Sequence, residues 1–130
     1  RHRGACLVVG AGTATTVDML TARGEFIGGI IIPGLELMKR SLADNTAKLP
    51  FAKGRFDASP RNTADAIETG CRLAQAGAIE RMHARLPDGG VCLLSGGDAT
   101  ELASQLRIPH RVVEHLVLEG LVQLAGSTRP

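Results

Sequence analysis

Gly10-Ala11-Gly12-Thr13-Ala14-Thr15-Thr16 constrains the fold of this chain more than any other stretch. It lies between the apolar run Ala5-Cys6-Leu7-Val8-Val9 and the segment Val17-Asp18-Met19-Leu20. Short apolar runs bounded by turn residues read as buried strands. A strand, a tight loop of small residues and a second strand therefore follow in order. Small side chains let an anion come close to the main chain, where backbone amides can face it. Threonine hydroxyls add further donors. A plain glycine-containing hairpin is the simpler reading of the pattern, but the density of threonine from Thr13 to Thr16 favours a phosphate-binding turn.

The 130 residues suffice for one domain with its own core. A hydrophobic content of 44% excludes a disordered chain. Aromatic content is 2%, with no Trp and no Tyr, so the core is built from Val, Ile, Leu and Ala. That leaves no stacking platform for bases, and the net charge of +2 supports neither nucleic acid nor a membrane surface as a partner. The longest apolar run, around Ile30 to Ile32, is too short to span a bilayer, and no signal peptide is expected. Cys6, Cys71 and Cys92 are odd in number and contain no CxxC pair. They are expected to pack as small apolar side chains in a cytoplasmic protein, with no metal site. His2, His83, His110 and His115 show no ligand spacing and read as solvent-facing.

Strands are expected at 5–9, 15–20, 26–32, 91–94 and 111–113, and helices at 35–45, 62–86, 99–106 and 116–125. Gly28 and Gly29 inside the third strand suggest a bulge. In the first helix Leu35, Met38 and Leu42 form the apolar face, with Glu36, Lys39 and Arg40 toward water. The long loop at 47–61 carries Lys48 and Lys53, which could steer an anion. Asn62 reads as an N-cap, with Asp65 approximating a capping box. The long helix has the stripe Ile67, Cys71, Ala74, Ala78 and Met82. Gly70 and Gly77 cost it about 1 kcal/mol each relative to Ala, which implies a partner element pressed there, from this chain or a second subunit. Asp18 reads as a strand-end acceptor or an outer-sphere magnesium ligand. Asp98, after Gly96 and Gly97, reads as a helix-start acid. The fold class is α/β: a mixed sheet with flanking helices in the order β-β-β-α-α-β-α-β-α.

That order, with glycine turns after the first and fourth strands, resembles half of an actin-like ATPase, a ribonuclease H-like domain. The motifs resemble those of type III pantothenate kinases, a family that includes the Bvg accessory factor-like proteins. They are Gly12-Thr13-Ala14-Thr15-Thr16-Val17-Asp18, Gly28-Gly29-Ile30-Ile31-Ile32-Pro33-Gly34, Asn45 to Pro50, Asn62 to Gly70, Ser95-Gly96-Gly97-Asp98-Ala99 and Leu116 to Leu121. Residues 1–130 then read as a single C-terminal domain whose N-terminal partner domain is absent.

The resemblance implies ATP-dependent phosphorylation of pantothenate, the first step of coenzyme A biosynthesis. It places Gly12, Thr13, Thr15 and Thr16 on ATP phosphate, Gly96 and Gly97 on the adenosine side, and Thr63 on pantothenate across a homodimer interface. The helix at 62–86 is the expected dimer element. ATP with Mg is implied, as is a monovalent cation (K or NH4), although Gly10 stands where the family usually has Asp. No catalytic residue is expected in this chain, because the family's first phosphate loop and catalytic aspartate lie upstream; alone it is expected to be inactive. The alternatives are a non-catalytic accessory or dimerisation module of the same fold, or another actin-like small-molecule kinase.

Overall fold

The structure is a computed structural model that describes residues 4–45, 53–87 and 90–114. The elements are β1 (Cys6–Ala11), β2 (Ala14–Leu20), β3 (Phe26–Pro33), α1 (Leu35–Asn45), α2 (Thr63–His83), β4 (Val91–Ser95), α3 (Ala99–Ala103) and β5 (His110–Val112). They follow the expected order. The helix expected at 116–125 lies outside the described residues, as do Lys48, His2 and His115. The sheet runs β3-β2-β1-β4-β5. Its β1–β2 and β2–β3 pairs are antiparallel, and its β1–β4 and β4–β5 pairs are parallel. The expected irregularity at Gly28 is present: Met19 pairs with Gly28 and Leu20 with Phe26, so the ladder skips Ile27. Gly28 has φ 140°, a conformation open to glycine.

Strand alternation sends Leu7, Val9, Ala11, Val17, Cys92 and Leu94 to one face. There they meet Leu35 of α1, Cys71, Ile79 and Met82 of α2, and Leu102 of α3. Burying each large aliphatic side chain stabilises the fold by about 1.5–3 kcal/mol. On the opposite face Val8, Leu20 and Leu93 form a second cluster. All three cysteines pack as expected. Burial raises their thiol pKa values, that of Cys92 to about 12, which disfavours thiolate chemistry.

Helix α2 begins as its cap residue dictates. Asn62 Oδ1 accepts from the Asp65 amide at 2.9 Å, and Asn62 Nδ2 donates to Asp65 Oδ2 at 2.9 Å. The Asp65 carboxylate also accepts from the Arg55 amide at 2.8 Å, and the Asp57 amide donates to Thr69 Oγ1 at 2.9 Å. These bonds strap the end of the 47–61 loop to α2. The apolar stripe is not the expected one. Ala74 is exposed, while Glu68, Thr69 and Gln75 are buried beside Cys71, Ile79 and Met82. Nor is Lys39 on a solvated face, because it reaches Glu68. His83 is also drawn inward: its Nε2 donates to the Gly90 carbonyl at 2.6 Å.

Candidate functional site

Three glycine turns meet at one end of the sheet. The β1–β2 connection is only Gly12-Thr13, because Gly10 and Ala11 complete β1 and Ala14 opens β2. The Gly34 amide, at the start of α1, donates to the Thr13 carbonyl at 2.8 Å. A Cβ at Gly34 would collide with the carbonyl oxygens of Gly12 and Thr13. From the other side the Asp98 amide donates to the Ala11 carbonyl at 3.1 Å. A Cβ at Gly96 would collide with the Ala11 backbone, and φ there is 111°. The absence of side chains at 34 and 96 therefore lets the three backbones close on each other.

The expected phosphate-side residues separate into different environments. Gly12 and Thr13 are exposed at the turn. The Gly12 amide is turned inward and donates to the Ala14 carbonyl at 3.1 Å, so it is not an outward donor. The Thr13 amide and hydroxyl have no partner among the described residues, and neither do the amides of Gly96 and Gly97. Thr15 departs from the expected set: it is fully buried, and its hydroxyl donates to Gln75 Oε1 at 2.6 Å. That proton is committed to α2 rather than to an anion. Thr16 faces the side of the sheet away from the helices, with Oγ1 2.9 Å from where a Cβ of Gly10 would stand. Gly10 pairs with Thr16 on one side and Ser95 on the other. Ser95 Oγ is buried and has no partner among the described residues.

Asp18 is not at a strand end. It lies well inside β2, is 7% exposed, and carries Oδ1 over the bare backbone of Gly29. It shares a face with Thr16, two residues away. Asp98 occupies the cap position of α3 but makes no side-chain cap bond. Burial raises its carboxyl pKa, and the neighbouring Glu101 and Glu36 raise it further, against a smaller pull from Lys39.

A buried charge chain supports the site from below. Lys39 of α1 reaches Glu36 at 3.1 Å and Glu68 at 2.9 Å. Glu68 of α2 also takes Arg72 Nε at 2.6 Å, and Arg72 extends to Glu101 of α3 at 3.5 Å. The Glu68 side chain is only 3% exposed. Burial alone would raise its pKa, but hydrogen bonds from Lys39 and Arg72 outweigh burial and hold it below its ordinary value. Sequence reading missed Glu68 and Gln75. Their spacing of seven residues was the available signal, since it puts both on the helix face that also carries Cys71, Ile79 and Met82.

Thr63 is exposed at the first residue of α2. It stands about 18 Å along the helix axis from Gln75, the residue that touches β2. The outer face of α2 presents Gly70, Leu73 and Gly77, and a Cβ at either glycine would meet nothing within 4 Å. The partner element inferred from those glycines is thus not supplied by the described residues. A groove of about 590 Å³ runs along this face, between Phe56, Leu73 and Gly77 on one side and Leu106 and Arg107 on the other.

The glycine turns, in this order on this sheet, agree with a family assignment made from sequence. The family of type III pantothenate kinases matches residues 1–85. The chain belongs to the type III pantothenate kinase family. Among curated type III pantothenate kinases, that of Aromatoleum aromaticum is 64% identical over 127 residues, covering 95% of this chain and 52% of the relative. That of Azoarcus sp. is 52% identical over 128 residues, covering 97% and 49%. The chain thus spans about half the length of the curated relatives it matches. A solved Campylobacter jejuni protein, named for the Baf family of transcriptional activators, superposes with TM-score 0.62 at 22% identity. The match covers 93% of this chain and 58% of that one; it shows a shared fold, and the five-stranded mixed sheet with flanking helices is consistent with a ribonuclease H-like, actin-like class.

At Gly10, where the family resemblance leads one to expect Asp for a monovalent cation, there is no carboxylate, and Thr16 Oγ1 lies 2.9 Å from where a Cβ would stand. Among the described residues no group of three or more His, Cys, Asp or Glu could hold a metal ion.

Proposed function

We propose that this chain is the C-terminal half of a kinase that transfers the γ-phosphoryl group of ATP to pantothenate, the first step of coenzyme A biosynthesis. One observation carries the reading. At the meeting point of three glycine turns, Thr13 is exposed, and neither its amide nor its hydroxyl has a partner among the described residues. Phosphoryl transfer rests mainly on positioning and charge stabilisation, and outward donors on a fixed turn provide both.

In this reading Gly12 gives the phosphates room, Thr13 donates to them, and Thr16 lies three residues further on, in β2. Gly96 and Gly97 line the adenosine side. Thr15 serves α2 instead. Magnesium bound to ATP neutralises phosphate charge and keeps several of its own waters, through which Asp18 would meet it. No residue here is assigned to deprotonating the pantothenate hydroxyl; that group belongs to the other half of the enzyme. Thr63, far along α2 from the phosphate turn, contacts pantothenate held by a second protomer. The unpartnered stripe at Gly70, Leu73 and Gly77 supports the homodimer this requires. Among the described residues no helix is long and apolar enough to cross a membrane, which accords with work in the cytoplasm on two soluble substrates.

The test is a coupled assay with ATP, magnesium and pantothenate. We expect the 130-residue chain to be inactive and the chain extended to its relatives' full length to be active. In the extended enzyme Thr13→Val should raise KM for ATP about tenfold, the size of one lost hydrogen bond to a charged group. Its melting temperature should not change, since the side chain is exposed. Unchanged KM for ATP in Thr13→Val would count against phosphate contact there. An extended protein that phosphorylates nothing would favour a non-catalytic module.

A further inference from the structure

The Gln75 side chain is fully buried and sits where the phosphate turn meets the helices. Its Nε2 donates to the Pro33 carbonyl at 2.7 Å, and its Oε1 accepts from the Thr15 hydroxyl at 2.6 Å. The orientation of the amide is decided by chemistry, because a carbonyl can only accept. The Pro33 carbonyl and the Gly34 amide belong to one peptide group. That group is therefore held at both ends, by Gln75 on its oxygen and by the Thr13 carbonyl on its N–H. Bonds arranged in series polarise and strengthen one another. Gln75 thus acts on the turn twice: directly at Thr15, and through a single peptide plane at Thr13. The Thr13–Ala14 peptide plane is thereby held against α1, while the Thr13 amide, in the preceding peptide group, and the Thr13 hydroxyl have no partner among the described residues.

We propose that Gln75 is a positioning residue for ATP: it touches no substrate, but it sets the orientation in which Thr13 presents its donors to phosphate. The assignment rests on the kinase reading above. It makes α2 a rigid brace for the nucleotide end of the site. A residue that merely filled the core would influence folding without singling out one substrate.

The test uses the full-length enzyme with four variants. Gln75→Met keeps the volume but removes the bonds to Thr15 and Pro33 and the weaker one to Met38 Sδ, and should raise KM for ATP about tenfold while changing KM for pantothenate less than about twofold. Thr15→Ser keeps the hydroxyl and should behave as the parent. Thr15→Val should show part of the effect. The double variant Thr15→Val with Gln75→Met removes the stranded hydroxyl as well. Replacing both partners of a buried bond by apolar groups can be nearly neutral for stability. The double variant should therefore regain part of the melting temperature, the Pro33 carbonyl still lacking its donor, but keep the high KM for ATP. Parental KM for ATP in Gln75→Met, equal shifts for both substrates, or a KM that recovers with melting temperature would each overturn the proposal. If the parent enzyme is inactive, the kinase reading fails on its own, and equilibrium binding of a non-hydrolysable ATP analogue takes over as the readout. Equal affinity of parent and Gln75→Met, or no binding by the parent, then overturns the role of Gln75.

Discussion

Glu68→Ala should destabilise the protein by about 3 kcal/mol, because it removes the buried carboxylate that two cations share and leaves Lys39 and Arg72 only the exposed Glu36 and Glu101. Lys39 and Arg72 are 12% and 19% exposed in their side chains, so water can replace only part of what Glu68 supplies. The loss falls on the contact between α1, α2 and α3, the helices that hold the glycine turns in register. Glu101→Gln is the control. That carboxylate is 48% exposed and bonds Arg72 at 3.5 Å, so its removal should cost less than about 0.5 kcal/mol.

The pH dependence has a definite sign. The folded-state pKa of Glu68 is lowered from an ordinary 4.5, so its contribution is complete above that value and is lost as pH falls through the lower folded value. For Lys39, burial pulls the pKa down, but the hydrogen bonds it donates to Glu68 and Glu36 outweigh burial and leave it above 10.5. Its contribution is present below that value and lost as pH rises past it. Chemical denaturation across the pH range should show a plateau between these limits. In Glu68→Gln the fall on the acid side should shrink.

Gly96→Ala should cost about 2–5 kcal/mol, combining an unfavourable backbone conformation with a steric collision. At φ 111° an L side chain is strained, and its Cβ would run into the Ala11 backbone at the end of the central strand. The structure can relieve this only by parting β1 from the β4–α3 turn, which breaks the Asp98–Ala11 bond. A fall in melting temperature of about 10 °C or more is expected for a chain of this size. Gly97→Ala, one residue on, meets nothing within 4 Å and should cost less than about 1 kcal/mol. Similar losses at the two positions would show that the close approach at Gly96 is not what constrains the turn.

What the sequence revealed was local. The hairpin followed from two apolar runs around small residues, and the start of α2 followed from Asn62 and Asp65, whose bonds span three residues. The bulge was legible in Gly28 for the same reason. What it hid were contacts between distant segments. Gln75 and Glu68 read as polar interruptions in a helix until Thr15, Pro33 and Lys39 are brought against them from 29 or more residues away. Ala74 looked like a core position because alanine is apolar, but α2 is rotated so that its polar pair faces inward and Ala74 outward. The first glycine turn was read too long. Gly10 resembles a turn residue, yet it pairs with both Thr16 and Ser95 in mid-sheet. The five glycine-bearing motifs supported the family because their order, rather than any single motif, is specific.

The central claim is that Thr13 faces the phosphates of ATP. A crystal structure of the full-length enzyme with magnesium and a non-hydrolysable ATP analogue tests it most directly. The account predicts phosphate oxygens within about 3.2 Å of the Thr13 amide and hydroxyl, with the Thr15 hydroxyl still on Gln75. Phosphates bound elsewhere, with the Thr13 donors facing only solvent, would contradict it.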